Sequence, residues 1–61
     1  MTFAELVTEY LKYHTTRELA DVVECIPSTV NRWANGISVP MPNTKQWITN
    51  YINKLRAEEQ W

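Results

Sequence analysis

Apolar residues recur at helical spacing in four stretches of the chain, and proline or glycine falls where that spacing breaks. Across residues 2–13 the apolar positions are Phe3, Leu6, Val7, Tyr10 and Leu11, with Glu5, Thr8, Glu9 and Lys12 opposite, which predicts an amphipathic first helix. Thr2 and Glu5 stand three apart, the spacing of a capping box, in which hydroxyl and carboxylate each accept from the other residue's backbone amide. Thr15 and Glu18 repeat it and open a second helix carrying Leu19, Ala20, Val22 and Val23, so His14 and Thr15 form a tight joint. Pro27 suits a first helical position, because its ring presets φ and its missing N–H costs nothing there. It predicts a short third helix through Ser28, Thr29, Val30, Asn31, Arg32 and Trp33, ended by a left-handed residue at Asn35-Gly36. Residues 37–42 read as a loop, since Pro40 and Pro42 bracket Met41. Asn43 with Gln46 predicts a capped fourth helix whose stripe of Trp47, Ile48, Tyr51, Ile52 and Leu55 frays into Glu58, Glu59 and Gln60. No stretch alternates as a strand would. The pattern predicts an all-α, compact four-helix domain, a single unit over residues 1–61.

Composition narrows the function classes. At 61 residues and 44% hydrophobic, the chain resembles an ordinary globular domain, but a small one that buries only about 60% of its unfolded surface. One cysteine, Cys25, and one histidine, His14, cannot make an internal disulfide or a zinc site, so no metal or cofactor is expected. Cys25 reads as a small apolar turn residue and His14 as a helix-end residue. No nucleophile, base and orienting group form a recognisable set, and little volume remains for a pocket. The expectation is a binding protein, with neither catalysis nor a small-molecule ligand. No apolar run approaches the roughly 20 residues of a membrane span, and residues 1–10 carry Glu5 and Glu9 where a leader would carry Lys or Arg. A cytoplasmic protein, of bacterial cytosol or nucleoid, is expected.

The formal net charge of -1 hides a division. Residues 1–26 hold Glu5, Glu9, Glu18, Asp21 and Glu24 against Lys12 and Arg17, a net of -3. Residues 27–57 hold Arg32, Lys45, Lys54 and Arg56 with no acid, a net of +4. Any surface built from the third helix, the loop after it and the start of the fourth helix is therefore neutral or positive.

The central stretch, from Thr15-Thr16-Arg17-Glu18-Leu19-Ala20 through Pro27-Ser28-Thr29-Val30-Asn31-Arg32-Trp33 to Asn35-Gly36, resembles the helix-turn-helix of the phage Cro and CI repressor family. The resemblance covers about the central third of the chain. It implies a lambda-repressor-like DNA-binding fold and a transcriptional repressor that occupies a palindromic operator through the major groove. The spacing has a physical reason. Two helices crossing steeply need a small residue at closest approach, which Ala20 supplies beside Leu19, and inward apolar residues on the second helix, which Val30 and Trp33 supply. Trp33 is thus read as core, not as a base stacker. One position departs from the family: where it usually has glycine in the turn, this sequence has Glu24, so left-handed backbone would fall on a residue that carries a Cβ.

With Val30 and Trp33 inward, the opposite face of the third helix presents Ser28, Asn31, Arg32 and Asn35. Arg32 can donate two hydrogen bonds to guanine, Asn31 can pair with adenine, and Ser28 serves several bases, so these three are the expected base contacts. Thr29 lies at the edge of that face. Backbone contacts are expected at helix amino termini, where free amides favour an anion: Thr15, Thr16 and Arg17 at one, Asn43, Thr44 and Lys45 at another. The resemblance adds Asn35 and Ser38. The partner is double-stranded DNA.

Trp47 and Trp61 exceed what so small a core covers, which leaves two readings open: a homodimer using exposed aromatics, or a monomer whose Trp61 packs over the first helix. Two other functions fit the same motif. One is an excisionase-like or architectural DNA-binding factor; the other is a helix-turn-helix reused as a protein-interaction inhibitor.

Overall fold

The computed structural model describes residues 1–58, and Trp61, with the readings attached to it, lies outside them. Four helices follow in order: α1 (Phe3–Tyr10), α2 (Thr16–Val23), α3 (Pro27–Ala34) and α4 (Pro42–Ala57). Among the described residues there is no strand. The all-α, four-helix reading of the hydrophobic pattern therefore holds.

Both expected capping boxes form. Thr2 Oγ1 accepts from the Glu5 amide at 3.2 Å while the Glu5 carboxylate accepts from the Thr2 amide at 3.0 Å. Thr15 and Glu18 make the same exchange at 3.2 and 3.3 Å. Two boundaries differ from the sequence reading. The first helix stops at Tyr10, because the amides of Lys12 and Tyr13 reach back only three residues, to Glu9 and Tyr10, and tighten the chain into the joint before Thr15. The fourth helix starts one residue early. Pro42 takes the first helical position behind Met41 and no side chain caps the end, so the predicted Asn43–Gln46 cap does not form and the loop shortens to residues 37–41.

The inward stripes meet in one core of Phe3, Leu6, Val7 and Tyr10 from α1, Leu19 and Ala20 from α2, Val30 and Trp33 from α3, and Ile48 and Ile52 from α4. Helix α1 packs on both α3 and α4, and α2 packs on α3. Trp33 is core, 5% exposed, with its ring edge-on to Phe3 at 6.0 Å. Leu11, Val23, Tyr51 and Leu55 close the periphery. Two stripe residues depart from expectation: Val22 is 39% exposed and Trp47 is 50% exposed. Each lies on the flank of its stripe, beyond the arc that the neighbouring helix covers.

The turn between α2 and α3 does use left-handed backbone at Glu24, φ 63° and ψ 46°. That conformation lets the Cys25 amide reach back to the Ala20 carbonyl at 2.9 Å. Helix α3 ends by the same device on a glycine. Gly36 at φ 72° allows the Ile37 amide to bond Arg32 O at 3.0 Å and its own amide to bond Trp33 O at 3.1 Å. The Thr8 hydroxyl ties α1 to this end, donating to Ala4 O at 2.8 Å and lying 3.2 Å from Ala34 O.

Candidate nucleic-acid interface

The orientation of α3 decides which of its residues can meet a partner. Val30 and Trp33 are buried, and the opposite face carries Ser28, Asn31, Arg32 and Asn35, all exposed. Thr29 is half-buried at its edge. Helix geometry, set by Pro27 at the start and Gly36 beyond the end, thus gathers four polar side chains on one outward strip. Asn35 is partly committed, since its amide nitrogen donates to Asn31 O at 3.0 Å, which stiffens the last turn. Arg32 has no ion-pair partner among the described residues, and its guanidinium keeps its donors for an external acceptor.

The two helix amino termini differ. At α2 the Glu18 carboxylate already occupies the anion position: it accepts from the Thr15 amide and meets the Thr15 hydroxyl at 3.4 Å, and its second oxygen lies 2.9 Å from His14 Nδ1. These contacts, the His14 bond foremost, hold the Glu18 carboxyl below the usual carboxylate range. The Thr15 hydroxyl is therefore spent on capping, Thr16 is half-buried, and Arg17 is the exposed cation of this end. At α4 the first turn is uncapped and holds no acid. The Lys45 amide makes the first backbone bond, to Met41 O at 2.8 Å, and its side chain is exposed. Ser38 lies half-buried in the loop between α3 and α4.

At the start of α4, Asn43 is exposed and Thr44 half-buried. They line a surface cleft together with Val22, Val23, Glu24 and Trp47, so the α4 terminus faces the end of α2 and shares its hollow with a carboxylate. Sequence reasoning missed this cleft because it lies between elements distant in the chain. The one local signal was the position of Val22 and Trp47 on the flanks of their stripes.

Among the described residues, no group of His, Cys, Asp and Glu is placed to hold a metal ion, and no helix is long and apolar enough to cross a membrane. What the site can do chemically is donate and accept hydrogen bonds from a rigid, uncharged-to-basic helix face. No protein-family model, curated protein or solved structure matches this chain.

Proposed function

We propose that this protein binds double-stranded DNA in a sequence-specific way and regulates transcription, with α3 in the major groove, as a Cro-like repressor does. The observation that carries the reading is the outward strip of Ser28, Asn31 and Arg32 on a helix whose other face is locked into the core by Val30 and Trp33. A rigid helix carrying bidentate donors is what base-edge readout needs. Arg32 is the principal base contact, and Asn31 and Ser28 support it. Arg17, Lys45, Thr29, Asn35 and Ser38 supply the backbone contacts; Thr16 adds its amide at the α2 terminus. Asn43 and Thr44 contribute less, because Glu24 opposes a phosphate in their cleft. The segment from residue 27 to residue 57, which contains the reading helix, carries Arg32, Lys45, Lys54 and Arg56 and no acid.

Arg32→Ala tests the reading. The exposed side chain makes no contact that the core needs, so helical content and thermal melting stay as in the wild type. Affinity for the preferred duplex falls about 5- to 150-fold, the equivalent of the ~1–3 kcal/mol of one bidentate pair, while non-specific affinity changes little. Equal losses on preferred and random duplex, or no loss, would remove Arg32 from base readout.

A further inference from the structure

Helix α4 is sixteen residues long, twice the length of each other helix, and only its Ile48 and Ile52 are buried. Beside them it carries a partly exposed aromatic pair at the edge of the core. Trp47 and Tyr51 stack in parallel there, ring centroids 5.4 Å apart and planes within 6°, with Trp47 half exposed. On one side of the pair Trp47 lines the cleft of Val22, Val23, Glu24, Asn43 and Thr44. On the other side Trp47 and Tyr51 line a second hollow with Asn50 and Lys54. The two hollows and the aromatic pair between them form one track, with a carboxylate at one end and an ammonium at the other. Neither Glu24 nor Lys54 has an ion-pair partner among the described residues.

We propose that this track is the face on which two copies of the chain pair, α4 against α4 in antiparallel fashion. A two-fold interface must be complementary to itself, so that what one copy offers at one end the other accepts at the opposite end. The track meets that condition. Along α4, position 47 faces position 51 of the second copy about an axis near Thr49, and position 44, beside Glu24, faces position 54. Each Glu24 then meets the second copy's Lys54, twice per dimer, across a centre of four stacked aromatic rings. Aromatic centres with charged rims are the usual anatomy of such interfaces. The same pairing gives Glu24 a role at a backbone position where glycine would be unstrained. The proposal stands on the α4 surface and does not depend on DNA binding.

Charge reversal of the full-length chain tests it by sedimentation equilibrium. Glu24→Lys alone and Lys54→Glu alone each turn both pairs into like-charge contacts, and each weakens association at least about fivefold. Both positions are exposed, and Lys at position 24 meets the same backbone strain as Glu, so each variant stays folded. The decisive arm mixes the two variants one to one. In the mixed dimer both pairs are again opposite in charge, so association returns to the wild-type level, an outcome that only a contact between copies produces. Trp47→Ala abolishes association in every combination. A wild-type chain that stays monomeric at millimolar concentration, or a mixture no tighter than either variant alone, overturns the proposal.

Discussion

Glu24 and Gly36 do the same backbone task with unequal side chains. Both are left-handed, at φ 63° and 72°, and both let the following amide close a helix end by bonding five residues back. A residue with a Cβ pays for that conformation by about 1–2 kcal/mol, partly offset by the extra freedom glycine has when unfolded. Glu24→Gly is therefore expected to raise stability by about 0.5–1 kcal/mol in a thermal melt at concentrations too low for association. Gly36→Ala is expected to lower stability by about 1 kcal/mol for the same reason, since the added Cβ would make only an ordinary van der Waals contact with the Ala4 Cβ at 4.0 Å and no clash. The resemblance to the repressor family marked the need for left-handed backbone at Glu24 from sequence alone, because turn geometry there is a local property of the chain.

Helix ends were legible where a capping box, or the Pro27 and Gly36 that bound α3, mark them, and not at the end of α1 or the start of α4. The boxes of Thr2 with Glu5 and Thr15 with Glu18 are written in a spacing of three residues, and both form. The Asn43 cap was misread because Pro42 satisfies the first turn by having no amide to satisfy, a solution that competes with any side-chain cap one residue later. The box at α2 carries a measurable consequence. Thr15→Ala removes the acceptor of the Glu18 amide and is expected to cost about 1 kcal/mol in denaturant unfolding. Glu18 and Glu5 are both held below the usual carboxylate range, Glu18 chiefly by His14 and Glu5 by the Thr2 amide. A lowered carboxylate contributes stability that is full above its unfolded pKa and is lost as pH falls through the folded one. The melting temperature should accordingly fall on acidification below the ordinary glutamate range, and the Glu5→Gln, Glu18→Gln double variant should flatten that fall. A melting curve for the double variant with the wild-type slope would contradict the assignment.

At the scale of the whole molecule, the core was readable because each stripe buries its own centre: ten buried apolar residues all belong to the predicted helical faces. What the sequence could not show is which stripe edges stay uncovered, since that depends on the crossing of helices far apart in the chain. Val22 and Trp47, which line the cleft between α2 and α4, are the case in point. The core also has its own titration. Burial pushes the Tyr10 phenol up to about 12. A raised phenol contributes stability that is full below its unfolded value of about 10 and is lost as pH rises toward the folded one. Ultraviolet absorbance should therefore show one tyrosine ionising late, together with alkaline unfolding; ionisation of Tyr10 with the fold intact at ordinary alkaline pH would contradict its burial. The division of charge, acidic through α1 and α2 and basic from residue 27 to residue 57, predicts a modest salt dependence for the proposed DNA binding, because the proposed interface holds only Arg17, Arg32 and Lys45 as cations. Lys45→Ala should reduce the slope of log affinity against log salt by about 0.9 without changing sequence preference.

The central claim is sequence readout by α3, and selection of tight binders from random duplex DNA at physiological salt, with the full-length chain, tests it most directly. Enrichment of a short motif, repeated as half-sites about one helical turn apart where two copies bind together, is the expected result. Recovery of no preferred sequence, from protein shown to be folded, would contradict base readout by Ser28, Asn31 and Arg32.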